Sequence, residues 1–153
     1  MNTQQQTNEH KTILIHGTEK QFVENLAHTI KKSPHRDNFT VVTISTEEEL
    51  RDTLENRIDI DLVLLEIEYD FEQRMYDAES PEMEIIMMIR ETQQPHTRIV
   101  VYTTSVGVVN AQRGDFAHKI PARDRFLKGY EDDHIPGHEN DFQRKLKDWL
   151  GAL

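Results

Sequence analysis

The sequence predicts a doubly wound α/β domain built on a five-stranded parallel sheet. Short segments of branched apolar residues alternate along the chain with longer segments in which apolar residues recur every three or four positions. One short segment, residues 61–66, is a continuous apolar run that ends in the carboxylate Glu66, which is typical of a strand covered by helices on both faces. Strands joined through helices pair in parallel with right-handed crossovers, so we expect strand order 2-1-3-4-5.

The strands are expected where β-branched or continuous apolar residues cluster. These segments are residues 12–15, 39–44, 61–67, 98–102 and 125–127.

Four further segments have the apolar spacing of helices. Their expected inward-facing residues are Phe22, Val23, Leu26 and Ile30 in the first, Leu50, Leu54 and Ile58 in the second, Met83, Ile86, Met87 and Ile89 or Arg90 in the third, and Phe142, Leu146, Trp149 and Leu150 in the last. Residues 106–118 are interrupted by Gly107 and Gly114, so at best a short or mobile helix is expected there.

Polar residues indicate where the helices begin. Capping-box spacing and N-cap preference predict the starts at Thr18 with Gln21, Ser45 with Glu48, Ser80 with Pro81, and Asn140. Residues 68–79 form a long acidic loop in which Phe71, Met75 and Tyr76 are expected to act as a lid or as partner contacts.

Composition limits the functional classes. The chain has 153 residues, which suits one domain (11–153) after a polar, Gln-rich tail (1–10) that we expect to be disordered. Its net charge of −10 argues against binding nucleic acid or an anionic membrane. It contains no cysteine, which excludes thiolate metal sites and cysteine nucleophiles. No signal peptide and no apolar run near the roughly 20 residues of a membrane span is visible, so a cytoplasmic protein is expected.

Three polar residues end neighbouring strands of the predicted sheet. Glu66 ends the third strand, Thr103 the fourth, and Lys128 follows the fifth. Ligands of open α/β sheets bind at the carboxyl ends of the strands. We therefore expect the carboxylate, the hydroxyl and the ammonium to converge, with an ion pair between Glu66 and Lys128.

These motifs resemble the receiver domain of two-component response regulators. ILIHGTE (residues 13–19) aligns with that family's first strand and acidic pair, and DLVLLE (61–66) with the strand that carries the phosphoacceptor aspartate. VVYTT (100–104) is similar to the strand with the switch hydroxyl, and FLKG (126–129) to the strand with the family's lysine. The resemblance covers nearly everything from residue 11 to 150 and implies a flavodoxin-like, receiver-like fold.

The chain departs from the family pattern at the reactive positions. Glu66 stands in place of the phosphoacceptor aspartate, and Gly17 and Thr18 stand where two metal-binding acids are expected, leaving Glu19 beside them. Arg125 falls near the place of the family's rotating aromatic residue. Mg²⁺ requires several oxygen ligands, so we expect poor magnesium affinity and no bound cofactor. The pattern is that of a pseudo-receiver.

The resemblance implies a signalling domain that is not an enzyme and that binds a protein partner or a second copy of itself. The expected surface is residues 106–125, with Val108, Val109, Phe116 and Arg125. Glu66 has two interpretations: it imitates a phosphorylated aspartate, or it is a structural ion-pair partner of Lys128. Two rival functions stay open: a small-ligand sensor using the crevice near His16, Thr18, Glu66 and Thr103, and an unusual receiver that is still phosphorylated.

Overall fold

The structure is a computed structural model that describes residues 10–32, 38–67, 81–112, 114–128 and 141–153. Several sequence predictions fall outside these residues: the tail (apart from His10), the loop 68–79 with Phe71, Met75 and Tyr76, and the helix starts at Ser80 and Asn140. In the described segments, no helix is long and apolar enough to cross a lipid bilayer.

A five-stranded parallel sheet forms the centre of the molecule, and its order β2-β1-β3-β4-β5 confirms the prediction. The strands are β1 (Lys11–His16), β2 (Phe39–Ile44), β3 (Ile60–Glu66), β4 (Arg98–Thr103) and β5 (Arg125–Leu127). This is a flavodoxin-like α/β fold. From β1 the chain adds β2 on one side of the sheet and then β3, β4 and β5 on the other side. Folds with this change of side have a crevice at the carboxyl ends of β1 and β3.

Helices cover both faces of the sheet. They are α1 (Lys20–Lys31), α2 (Glu47–Asn56), α3 (Pro81–Thr92), the short α4 (Val106–Val109) and α5 (Gly114–Lys119), and α6 (Asp141–Ala152). Buried residues of α1 and α6 form one apolar layer, and those of α2, α3, α4 and α5 form the other. The side chains of β3 alternate between the layers, Leu62 and Leu64 in one and Val63 and Leu65 in the other. This explains its continuous apolar run, because each face of the strand meets a helix layer.

The second helix is shorter and starts one residue later than the sequence predicts. Its N-cap is Thr46, whose hydroxyl accepts a hydrogen bond from the Glu49 backbone N–H at 3.1 Å, so the pair Ser45 and Glu48 was wrong by one position. The helix ends at Asn56, which leaves Ile58 in extended chain and 64% exposed rather than in the core. In α3, Met83, Ile86 and Ile89 are buried as predicted, whereas Met87 is 39% exposed.

The connection between β4 and β5 is organised around a buried guanidinium. Arg125 is only 2% exposed and donates to the Ile120 carbonyl at 2.6 and 2.9 Å and to the Ala111 carbonyl at 2.6 Å. The carbonyls of Val108 and Val109 lie at 3.4 and 3.2 Å, and the Phe116 ring lies 4.9 Å from the guanidinium carbon. Arg125 thus joins the last turn of α4 to the end of α5.

The predicted partner surface needs correction for this reason. Val108 and Phe116 have no exposed surface and Arg125 is buried, so these side chains hold the domain together instead of facing a partner. Only Val109, which is half-buried, fits the prediction. The sequence did not reveal this because a short, glycine-interrupted segment gives no clear apolar periodicity.

Replacing Arg125 tests its structural role. Arg125→Lys keeps the charge but loses the planar fork, so several buried carbonyls lose their donors and the free energy of unfolding should fall by about 3 kcal/mol. Arg123→Lys, at an exposed position in the preceding turn, is the matched control and should change it by less than about 0.5 kcal/mol. Urea titrations give both values. Equal stability of the two variants would contradict the role assigned to Arg125.

Candidate functional site

The carboxyl ends of β3, β4 and β5 bring the predicted polar residues to one edge of the sheet. Glu66 is in register with Tyr102 of β4. The Lys128 backbone N–H donates to the Thr103 carbonyl at 2.7 Å, which fixes the lysine immediately beyond β5. Parallel pairing therefore sets the positions from which the three side chains extend.

The Glu66 carboxylate accepts hydrogen bonds on both oxygens. Its Oε2 lies 2.7 Å from Lys128 Nζ. Its Oε1 accepts from the Thr18 backbone N–H at 2.9 Å and from the Thr18 hydroxyl at 2.7 Å. The Lys128 ammonium also lies 2.9 Å from Glu19 Oε1 and 5.0 Å from the centre of the Phe22 ring. We call Glu66, Lys128, Thr18 and Glu19 the strand-end network.

Burial makes this ion pair more than a surface contact. The side chains of Glu66 and Lys128 are 4% and 5% exposed. Burial acts to raise the pKa of Glu66, but the hydrogen bonds from Lys128 and Thr18 outweigh it, so the pKa lies below its ordinary value. Burial acts to lower the pKa of Lys128, but the hydrogen bonds to Glu66 and Glu19 outweigh it and leave the pKa raised. Both directions keep the two groups charged at neutral pH.

Two of the predicted interactions differ in the structure. Thr18 does not cap α1: its hydroxyl is used by Glu66, and Glu19 occupies the N-cap position without a side-chain cap. Thr103 is fully buried, but its hydroxyl accepts a hydrogen bond from the Ser105 backbone N–H at 3.0 Å. Among the described residues, no hydrogen bond joins the Thr103 hydroxyl to the side chain of Glu66 or Lys128, so the hydroxyl lies outside the network.

Gly17 lies against a tyrosine that the sequence analysis did not single out. A Cβ at position 17 would lie 2.2 Å from the Tyr102 hydroxyl oxygen and 2.7 Å from a Val23 methyl. Tyr102 has no exposed surface, donates to the His16 carbonyl at 2.7 Å, and stacks between Phe22 and Phe126. The sequence offered one signal for this contact. Tyr102 is the aromatic residue among the aliphatic residues of β4, and Gly17 directly follows β1.

The residues at this edge do not suit the magnesium ion that the receiver resemblance implies. An acid at position 17 would clash with Tyr102, and the Glu66 oxygens are already used by Lys128 and Thr18. Within the described ranges, no group of three or more histidine, aspartate or glutamate side chains is arranged to hold a metal. Magnesium needs several oxygen ligands in near-octahedral geometry, which this arrangement does not offer.

A cleft of about 370 Å³ lies beside the network, at the carboxyl ends of β1, β2 and β3. Three of the four residues predicted for the crevice, His16, Thr18 and Glu66, line it together with Ser45 and Glu82, whereas Thr103 is not among its described lining residues. Glu82 was not anticipated, because an acid in the first turn of a helix usually faces water. Burial lowers the pKa of His16 below its ordinary value, although the negative charges of Glu66 and Glu47 act to raise it.

Comparison with known proteins supports the fold and does not identify a family. No protein-family model matches the chain, and no curated protein matches it. Among solved structures, it is similar to a chain in the crystal structure of the CheA3 P1 domain in complex with CheY6 from R. sphaeroides, with 20% identity and a TM-score of 0.59 over 93% of this chain and 98% of that one.

Two pilus assembly proteins have a similar structure. One is a putative CpaE2 from Sinorhizobium meliloti 1021, with 16% identity and a TM-score of 0.58 over 90% of this chain and 98% of that chain. The other is CpaE from Caulobacter crescentus CB15, with 10% identity and a TM-score of 0.58 over 92% and 97%. At these identities the similarity establishes a shared receiver-like fold.

A double-mutant cycle tests the contact at Gly17. Gly17→Ala should lower the free energy of unfolding by about 2 kcal/mol, because the added methyl overpacks the site against the Tyr102 hydroxyl. Tyr102→Phe alone should cost about 1 kcal/mol through its lost hydrogen bond. The double variant should be less destabilised than the sum by at least about 0.5 kcal/mol.

Gly151→Ala is the control for this cycle. A Cβ there meets no atom within 4 Å, and the position is helical, so alanine should be neutral or slightly stabilising. Additive effects of Gly17→Ala and Tyr102→Phe in urea titrations would show that the two residues are not in conflict.

The lowered pKa of Glu66 predicts how stability depends on pH. A carboxyl group whose pKa is depressed by folding contributes stability above its unfolded value, about 4.3, and loses it as the pH falls through the folded value. The free energy of unfolding of the native protein should therefore fall more steeply between pH 6 and 3 than that of Glu66→Gln. Urea titrations across this range measure both slopes.

Glu48→Gln, which changes an exposed acid of α2, should follow the native profile. At pH 7, Glu66→Gln should be less stable than the native protein by about 3 kcal/mol, because it leaves a buried ammonium with only one charged partner. Identical pH profiles for Glu66→Gln and the native protein would mean that the ion pair contributes no pH-linked stability.

Proposed function

We propose that this chain is a phosphorylation-independent, receiver-like signalling domain, a pseudo-receiver that acts by protein–protein contacts and has no enzymatic turnover. The observation that supports this most is the closed strand-end network. A phosphoacceptor must present a free carboxylate oxygen to a phosphoryl donor beside a bound metal ion. Glu66 instead uses both oxygens within the network, where Lys128 and Thr18 hold it.

The neighbourhood of Glu66 supports the same proposal. Gly17 and Thr18 provide no carboxylate, and Tyr102 fills the space in which an acidic side chain at position 17 would extend. Glu19, which remains, is paired with Lys128. A phosphoryl group arriving at Glu66 would have to displace these contacts without metal assistance.

The residues that correspond to the family's conformational relay are fixed in this structure. The Thr103 hydroxyl is used by the Ser105 backbone and does not contact Glu66. Arg125, near the place of the rotating aromatic residue, is held inside by carbonyls from both short helices. Rotation of its side chain would remove those bonds, which supports a domain that does not use a switch of the receiver type.

The proposed partner surface is the accessible part of the β5 edge. Leu127 is 42% exposed, and the alternation of side chains places it on the same side of β5 as Arg125. Together with the half-buried Val109, it leaves apolar surface next to the short helices. A signalling protein or a second copy of this chain would bind there.

Incubation with acetyl phosphate and Mg²⁺ tests phosphorylation independence. Intact-mass measurements should show no added phosphoryl group, and beryllium fluoride should leave the amide NMR spectrum unchanged. A receiver domain with its acids intact, treated in parallel, confirms that the reagents are active. Glu66→Asp should remain unmodified as well, because Gly17 and Thr18 still provide no metal-binding carboxylate.

Stoichiometric phosphorylation of Glu66 would overturn the proposal. It would instead support the unusual receiver that is still phosphorylated. Modification of Glu66→Asp alone would show that the missing metal-binding acids are dispensable and that the carboxylate length decides reactivity.

A further inference from the structure

The cleft beside the strand-end network has an apolar wall and a polar rim. Leu50, Leu65, Ile67 and Ile85 provide the wall, and the polar lining includes His16, Ser45, Glu47 and Glu82. Its volume of about 370 Å³ is in the range of small-molecule sites. It lies at the carboxyl ends of β1 and β3, whose following helices α1 and α3 pack on opposite faces of the sheet, and this is the usual position of ligands in folds of this topology.

Glu82 is the unusual group in this cleft. It is 6% exposed, and within the described ranges neither of its carboxylate oxygens has a hydrogen-bond partner. Buried carboxylates are almost always hydrogen-bonded, because an unsatisfied one carries its full desolvation cost. Its place in the first turn of α3 favours negative charge but supplies no direct donor here. A ligand with N–H groups could therefore supply the hydrogen-bond donors that the two oxygens lack.

His16 offers a second unsatisfied atom to the same cleft. Its Nδ1 is buried and has no hydrogen-bond partner among the residues that the structure describes. Burial favours the neutral imidazole, which carries one nitrogen able to accept a hydrogen bond. The residue is at the end of β1, and Glu82 begins α3, so the two groups reach the cleft from different elements.

The charges around the cleft select the ligand class. Glu47, Glu66 and Glu82 line it, and the nearby cation Lys128 is already held by Glu66 and Glu19. Phosphates and carboxylates would be repelled. A ligand with N–H donors and positive charge would satisfy the Glu82 oxygens, and an alkyl chain would cover the wall formed by Leu65 and Ile85.

We infer that this cleft binds a small organic cation, an alkylammonium or alkylguanidinium, with its charged end on Glu82 and its alkyl chain against the apolar wall. A bare metal ion fits less well, since no metal-binding cluster exists among the described side chains. This inference goes beyond the proposed function, because the orphan atoms belong to Glu82 and His16 and not to the Glu66–Lys128 pair.

Titration with matched probes tests the inference. Butylammonium and agmatine should raise the melting temperature and shift the methyl NMR signals of Leu65 and Ile85 in a saturable way, whereas butanol and butyrate, of similar size, should not. Glu82→Gln should weaken ammonium binding at least tenfold. Glu91→Gln, which removes an exposed charge from the same helix, should leave it unchanged.

The unliganded variants provide a second measurement. Glu82→Leu should melt higher than the native protein, because it removes two buried carboxylate oxygens that have no donor among the described residues. His16→Asn should weaken binding without abolishing it. A peptide containing one lysine, compared with free agmatine, distinguishes a partner's side chain from a free amine, and either as the tighter ligand supports the cation class.

Three results would overturn the inference: no saturable binding of any cationic probe, equal binding of butanol, or undiminished binding by Glu82→Gln. The acetyl phosphate experiment does not bear on these outcomes. Phosphorylation of Glu66 would overturn the proposed function and leave the test of Glu82 intact. Absence of amine binding would overturn the cation site and leave the proposed function intact.

Discussion

A buried ion pair between Glu66 and Lys128 determines how the functional edge of this molecule is built. Charges removed from water require partners on every available lone pair or proton, because desolvation otherwise costs several kcal/mol for each ion. Thr18 and Glu19 supply the remaining contacts, so the loop after β1 is bound to the ends of β3 and β5. Three segments far apart in sequence thus share one electrostatic constraint at the carboxyl ends of the strands.

The fold was predictable because its main signals are local. The apolar run 61–66 reflects a strand between two helix layers, and the spacing of Leu146, Trp149 and Leu150 reflects the buried side of α6. The contact between Glu66 and Lys128 was also predictable from the sequence, since parallel strands bring their carboxyl ends to one edge.

The sequence predictions that were wrong concern side chains whose contacts are made with residues far away along the chain. Thr18 has the spacing of a cap, yet Glu66, 48 positions away, uses its hydroxyl. Arg125 reads as a surface cation, but carbonyls from two short helices surround it, and helices of that length depend on tertiary contacts for their stability. The orphan oxygens of Glu82 follow from packing of α3 on the sheet. None of these partners can be read from residue spacing along the chain.

The fit between Gly17 and Tyr102 has an evolutionary consequence. Introducing an acid at position 17 would force a side chain into the tyrosine hydroxyl. Shrinking Tyr102 first would remove its hydrogen bond to the His16 carbonyl and its stacking on Phe22 and Phe126. Either order passes through a less stable intermediate, and proteins with little spare stability rarely tolerate such steps. A lineage that acquired this pair would find a carboxylate at position 17 difficult to introduce, even under selection for one.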